Sequence, residues 1–337
     1  VDNTTLKHID DDSLCIHRRR YGRGYQFFDE SQNKIIDKKL LKRLKALVIP
    51  PRWDEVHICK WPDGHIQATG RDAKGRKQYI YHAEWERQRQ QEKFDRMLSF
   101  GQDLADMRKV AIADINRAVW CKEKVLALMI LLLDDTGLRI GNRQYTQRNG
   151  TYGLSTLRRR HLDMSDDDAL QIEFIGKKSK QRTIEIDNER LVEEVQACAD
   201  LPGYELFRYR DGSSFQEVDS SDVNDYIHEH MGKEYSSKDF RTWVASRMCI
   251  AHYPSAVAQK LKKPRTKLLN ILLRFVADEL GNTPSVCKSY YIHPILLERV
   301  ESRDLPTDLA PADSDTLSAE YSQEEEILLD ILMSSSS

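Results

Sequence analysis

The sequence predicts an α+β chain of two domains, a small strand-rich amino-terminal domain and a larger, mainly α-helical one that carries a β-hairpin. Three observations predict this. A chain of 337 residues is long for one hydrophobic core. Between Tyr21 and His82 it is rich in aromatic and β-branched residues and broken at Gly22, Gly24, Pro50-Pro51, Pro62-Asp63-Gly64 and Asp72 to Gly75, which is the punctuation of short strands and turns. Beyond about residue 110 helical spacing takes over.

Taken in order, residues 1–20 read as a lead, 21–100 as the strand-rich domain, 101–300 as the helical domain and 301–337 as an acidic, largely mobile tail. Lys38 to Leu47 interrupts the strands with a leucine-bearing helical pattern, and Glu84 to Phe100 closes the region as a charged helix. Ile112 to Asp134 reads as a further helix. Leu170 to Phe174 and Arg182 to Ile186 alternate as a hairpin whose turn, Gly176 to Lys180, is basic. Helices are expected over Asn188 to Asp200, Ser220 to Met231, Lys238 to His252, Ser255 to Leu261 and Lys267 to Leu280, each with a polar start. In the tail, Glu324 to Met333 has the spacing of one amphipathic helix, through Ile327, Leu328, Ile331 and Leu332.

The net charge of -2 averages two regions of opposite sign. Residues 301–337 hold ten acidic side chains and one arginine, a net of -9, so residues 1–300 carry +7. An excess of that sign favours a polyanionic partner. The longest apolar run, Val125 to Leu133, has nine residues, about half of what a bilayer span needs, and Val1 to Ser13 is too polar for a secretory signal. Six cysteines without CxxC spacing are expected to be free thiols in a reducing compartment. His228 with His230, and Cys249 with His252, lack the partners of a metal site. No GxxxxGK[ST] loop for nucleotide phosphates occurs.

Candidate chemistry lies in five short segments. Leu280 to Ser285 and Tyr290 to Pro294 set Tyr291 nine residues after Asn282. Leu138 to Asn142 supplies Arg139 between Gly137 and Gly141, Gly176-Lys177 supplies a lysine at the hairpin turn, and Lys238 to Arg241 puts Arg241 in the first turns of a helix. A nucleophile approaching a phosphodiester meets negative charge that grows in the transition state, and arginine answers it with a permanently charged, two-pronged donor. A lysine on a flexible turn can protonate a leaving alkoxide, a step worth ~10²- to 10⁴-fold. Lys178 and Lys180 compete with Lys177 for it. A phenol with an ordinary pKa near ~10 needs a cationic pocket to attack at neutral pH.

Together with Arg18 to Tyr25 (RRRYGRGY), Leu47 to Trp53 (LVIPPRW), Gly64 to His82, Leu138 to Tyr145 (LRIGNRQY) and Tyr152 to His161 (YGLSTLRRRH), these segments resemble the bacterial and poxviral class of type IB DNA topoisomerases. The resemblance runs from about Tyr21 to Val300. It implies the tyrosine recombinase/type IB topoisomerase kind of fold, with residues 101–300 as the catalytic domain. It also implies that Tyr291 attacks a DNA phosphodiester to give a 3'-phosphotyrosyl link. Arg139, Arg241 and Asn282 would hold the non-bridging oxygens, and Lys177 would be the general acid. Tyr290 rivals Tyr291 only by adjacency, since the family's tyrosine directly precedes the position of Ile292. Poxviral members carry histidine where this chain has Asn282, which points to a bacterial-like source. Tyr79, Tyr81 and Tyr145 match backbone contacts to DNA, and Arg71, Lys74, Arg76 and Lys77 flank the tyrosine pair in an expected basic groove. Further expectations are duplex DNA as partner, no cofactor, metal or nucleotide, no membrane, a monomer, and a cytoplasmic, nucleoid-associated place of work. Two rivals stand beside this reading: a tyrosine recombinase, whose usual box is His-x-x-Arg rather than Lys238-Asp239-Phe240-Arg241, and a catalytically silent DNA-binding protein.

Overall fold

Alternating apolar positions in the first hundred residues build one antiparallel sheet. In the computed structural model, which describes residues 6–163, 170–310 and 316–335, strands β1 (Ile16–Tyr21), β2 (Gly24–Phe28), β3 (Asp54–Ile58), β4 (Ile66–Arg71) and β5 (Lys77–Tyr81) lie in the order β2-β1-β3-β4-β5. Helix α1 (Lys38–Ala46) starts where the Asp37 carboxylate accepts from the amides of Lys39 and Leu40 at 2.7 and 2.9 Å, a normal N-cap. Its Leu44 joins Ile16, Phe27, Val56, Ile58 and Ala68 in the core. Arg18 of the RRRYGRGY segment donates to the carbonyls of Ile49, Pro50 and Trp53, so it ties that segment to LVIPPRW.

The chain divides into two units, Val1–Lys93 and Phe94–Ser337. Of the expected lead, residues 6–20 are described and belong to the first unit. β1 begins at Ile16, Lys7 bridges to Gly64 in parallel, and Ile9 and Leu14 pack with Cys59 and Ile66 in a second small core. Composition hid this because the apolar residues there are few and widely spaced among acids.

The expected charged helix is two, α2 (Ala83–Asp95), most of it in the first unit, and α3 (Met97–Ile115) of the second, parted at Arg96. The helix expected over Ile112 to Asp134 is also broken. The side chain of Asn116 donates to Ile112 O at 2.8 Å and closes α3, and α4 (Lys122–Thr136) begins only after Cys121. α4 is buried along most of its length, as a nine-residue apolar run demands. Beyond α5 (Arg143–Asn149) comes a three-stranded sheet, β6 (Leu162–Asp163), β7 (Leu170–Gly176) and β8 (Lys180–Ile186), in that order. The β7–β8 pair is the expected hairpin, with Gly176 opposite Lys180.

After α6 (Glu189–Ala199) a second hairpin, β9 (Arg208–Asp211) with β10 (Ser214–Glu217), turns at Gly212 with φ 59°. Among the described residues only helices then follow: α7 (Ser220–His230), α8 (Ser237–Ala251), α9 (Tyr253–Lys262), α10 (Leu268–Leu280), α11 (Pro284–Tyr290), α12 (Pro294–Ser302) and α13 (Gln323–Ser335). The main core centres on α4 and α8, with Trp243 and Phe240 fully buried.

The amphipathic helix expected over Glu324 to Met333 is α13, which docks Leu328 and Leu332 into this core. Its Glu325 carboxylate takes two hydrogen bonds from the buried Arg108, at 2.6 and 2.9 Å, and one from the Trp243 indole at 2.9 Å. Residues 311–315 and the last two serines lie outside the described residues. The six cysteines are all free.

Candidate active site

Each candidate side chain leaves the end of a rigid element. Gly137 caps α4 in the left-handed conformation, φ 61°, and turns the chain into the loop of Arg139. That loop is fixed by the amides of Leu154 and Ser155, which donate to Arg139 O at 2.8 Å and Ile140 O at 2.6 Å. A Cβ on Gly153 would sit 2.6 Å from Arg139 O and from the Gly141 Cα, so only glycine allows this approach. Arg241 enters from the first turns of α8, where the Asp239 carboxylate accepts from the Ser236 amide and hydroxyl at 2.9 and 2.8 Å, and Phe240 is sunk in the core. Asn282 follows Gly281, the left-handed cap of α10. Tyr291 ends α11, and Ser246 of α8 accepts from the His293 amide at 3.2 Å and donates to Tyr291 O at 3.4 Å.

The five side chains expected from the sequence converge within the second unit. Arg139 donates to the Asn282 side-chain oxygen. The Arg241 guanidinium carbon lies 5.0 Å from the Tyr291 ring centroid, and its two terminal nitrogens donate to Gly137 O and Leu280 O. One cavity is lined by Arg139, Lys177, Arg182 and Arg241 with Tyr152 and Gly153. Tyr290, the neighbouring phenol, is 46% exposed, whereas Tyr291 is partly buried against the core.

Charge in the cluster is unbalanced. Among the described residues, Arg139, Lys177 and Arg241 have no carboxylate within 4 Å. Burial opposes ionisation of the Tyr291 phenol, but the charges of Arg241, Arg139 and Lys177 outweigh it and hold its pKa below the ordinary 10.0. Lys177 is exposed on its turn as a residue, yet desolvation of its ammonium and the nearby Arg139 push it below 10.5, against the pull of Tyr291. Burial and Arg139 likewise disfavour the charge on Arg241, which Tyr291 supports. A guanidinium does not give up its proton under ordinary conditions, so such a pocket is suited to an incoming anion. Two buried donors beside it, Arg241 Nε and Asn282 Nδ2, make no hydrogen bond of good geometry within the protein, although the Arg241 side chain lies within bonding reach of the Tyr291 phenol, and unsatisfied buried donors are rare enough to point to a function.

The expected DNA-contact residues are spread over both units. Tyr79 and Tyr81 on β5 stack on one face, centroids 5.8 Å apart and planes 8° apart, as residues two apart on a strand should. Their flanking cations are not bare. Arg71 pairs with Glu55, Arg76 with Asp72, and Lys77 with Asp11, which also accepts from the Tyr79 hydroxyl at 2.8 Å. Lys74 lies in the turn held by the Asp72 carboxylate, which accepts its amide at 2.9 Å. Tyr145, on α5 of the second unit, is 51% exposed. Sequence reasoning missed these carboxylates and it missed Arg182. Nothing in the spacing of either marks a pairing partner.

An α+β chain that sets a phenol among cations without carboxylate partners has the make-up of a tyrosine-based phosphoryl-transfer enzyme. Residues 77–304 match the family described as eukaryotic DNA topoisomerase I, catalytic core, and residues 24–72 match the bacterial DNA topoisomerase IB, N-terminal domain. The DNA topoisomerase 1B of Acanthamoeba polyphaga mimivirus is 31% identical over 84% of this chain and 86% of its own length. That of Vaccinia virus (strain Copenhagen) is 26% identical over 77% and 82%. A solved XerH site-specific recombinase bound to its difH substrate overlaps 56% of this chain and 48% of that one at a TM-score of 0.35 and 14% identity, too partial to bear on activity. The chain belongs to the type IB DNA topoisomerase family.

Proposed function

We propose that this chain relaxes supercoiled duplex DNA by cutting and rejoining one strand through Tyr291. The observation that carries the assignment of residues is the phenol set among three cations that lack carboxylate partners, beside two buried donors that make no hydrogen bond of good geometry. In this reaction the phenolic oxygen bonds to phosphorus and the bond to the 5'-oxygen breaks, giving a 3'-phosphotyrosyl ester. The phenol's proton goes to solvent, and Lys177 gives its proton to the leaving 5'-oxygen. Arg139, Arg241 through Nε and Asn282 through Nδ2 hold the non-bridging oxygens as charge builds on them, the step at which fixed donors count most.

While the ester lasts, the free end turns under torque, and attack by the 5'-hydroxyl reverses each transfer. One ester replaces another, so the cycle needs no nucleotide to drive it and no metal to be written. All five groups come from one chain, and a monomer suffices. Tyr79, Tyr81 and Tyr145, with Arg71, Lys74, Arg76 and Lys77, are proposed to grip the backbone of the duplex. The place of work is where genomic DNA lies, in the cytoplasm on the nucleoid.

The test is plasmid relaxation in excess chelator, with the covalent adduct trapped and digested for mass spectrometry. Wild type is expected to relax supercoils of both signs and to carry a nucleotide on Tyr291. Tyr291→Phe should bind DNA yet form no adduct, whereas Tyr290→Phe should work. A nucleotide on Tyr290, or relaxation by Tyr291→Phe, would overturn the assignment.

A further inference from the structure

The cavity of the candidate site holds a fourth cation that the reaction above does not use. Arg182 stands on β8, opposite Phe174 and two residues past Lys180, which pairs with Gly176. Lys177 begins the turn between the two strands. From β8 the side chain runs across the hairpin toward the end of α10, and two glycines mark its path. A Cβ on Gly176 would lie 2.9 Å from Arg182 Cγ, and a Cβ on Gly281 would lie 2.3 Å from the guanidinium carbon and 2.4 Å from Nε. The stem therefore rests on the hairpin glycine and the head on the helix cap.

The head is spent on backbone. Nη1 donates to Asp278 O at 2.8 Å and Nη2 donates to Glu279 O. These are last-turn carbonyls of α10, at the negative end of its dipole, where Asp278 O otherwise accepts from the Gly281 amide at 3.3 Å. The next carbonyl, Leu280 O, holds Arg241, and Asn282 two residues later accepts from Arg139. One side chain thus joins the turn that carries Lys177 to the segment that orients two other members of the site. Both terminal nitrogens are turned to carbonyls, as those of Arg241 are, but Arg241 also keeps a buried Nε without a good partner, and among the described residues Arg182 has no such donor.

We infer that Arg182 is a positioning residue: a strap from the hairpin to the end of α10 that sets the reach from the Lys177 ammonium to the leaving 5'-oxygen. The inference rests on the general-acid role proposed for Lys177. It predicts that loss of the strap hurts protonation of the leaving group and leaves attack by the phenol nearly intact.

The two can be read apart by single-turnover cleavage of a duplex whose scissile 5'-oxygen is replaced by sulfur. A thiolate leaves without a proton, so the acid becomes dispensable. Lys177→Ala is the reference and is expected to be slow on the oxygen substrate and near wild type on the sulfur one. Arg182→Ala should slow the oxygen substrate by ~10²-fold, the scale of an ångström of misplacement, and the sulfur substrate less than about 3-fold by the same argument. Arg182→Lys keeps one carbonyl contact and should fall between.

Fast cleavage of the sulfur substrate itself certifies that each variant is folded. Equal slowing of both substrates by Arg182→Ala would overturn the inference, placing Arg182 on the phosphate or in general stability, and no slowing of either would overturn it as well. If instead Lys177→Ala is slow on both, the acid role of Lys177 fails and the strap's proposed purpose fails with it, an outcome distinct from a defect confined to Arg182.

Discussion

Replacing Glu325 by Gln should cost the second unit about 3 kcal/mol at neutral pH, and two independent routes give that size. Glu325 is 1% exposed, and its carboxylate receives Arg108, Trp243 and, at 3.6 Å, Arg247. Burial alone would raise its pKa, but the hydrogen bonds and charge of Arg108, with Arg247 and the Trp243 indole, hold it at about 2 against an ordinary 4.5. At about 1.4 kcal/mol per unit, that difference is worth roughly 3 kcal/mol. Breaking a buried pair costs about 3 to 5 kcal/mol by mutation, and the lower end applies because Asp134 still pairs with Arg108 at 2.6 Å. A depressed folded-state pKa stabilises fully above the unfolded value and is lost as pH falls through the folded one, so the contribution is whole above pH ~5 and about 2 kcal/mol of it is gone by pH 3. Urea unfolding of wild type and Glu325→Gln between pH 7 and 3 measures the gap directly. Wild type should be the more stable by about 3 kcal/mol at pH 7, with the gap closing below pH ~5. A gap under about 1 kcal/mol, or one that stays constant across the series, would refute the view that α13 is anchored by charge rather than by its leucines alone.

Two further outcomes follow from the site and the groove. In single-turnover cleavage the rate should rise with pH to a break at the Tyr291 phenol, below 10.0, and fall beyond a break at Lys177, below 10.5. Lys177→Ala should abolish the falling limb and keep the rising one, and a falling limb that survives would assign the acid elsewhere. In the amino-terminal unit, Asp11 occupies Lys77 and the Tyr79 hydroxyl, so a DNA phosphate arriving there must displace a carboxylate. Asp11→Asn should therefore steepen the salt dependence of DNA binding by about one ion, the increment of one added phosphate contact, while Asp12→Asn removes the same charge and should leave the slope alone. Equal slopes for the two variants, measured by DNA titration over a salt series, would show that Lys77 never meets the backbone.

The candidate site was legible because each of its members is fixed by neighbours in sequence. Gly137 and Gly141 bracket Arg139, Asp239 caps the helix that presents Arg241, and Gly281 ends α10 one residue before Asn282. Short motifs of that kind show up as residue patterns, and the hairpin of Lys177 does too through its alternation. Features held by distant partners did not. Glu325 is 217 positions from Arg108, so the leucine spacing marked the helix α13 but not the ion pair that anchors it. The start of the chain failed for a related reason: Ile9 and Leu14 find Cys59 and Ile66 only once the sheet has formed.

The second hairpin was a different failure, because Asp211-Gly212 between alternating residues is a hairpin signal and was there to be read. The groove shows the limit most plainly. Its cations could be counted from the sequence, but whether a cation is free for DNA depends on which carboxylate the fold brings to it. Asp11, Glu55 and Asp72 reach theirs from 66, 16 and 4 positions away. A count of basic residues therefore overstates the charge that the amino-terminal unit offers a polyanion, whereas in the cluster around Tyr291 no carboxylate, among the described residues, pairs with the three cations.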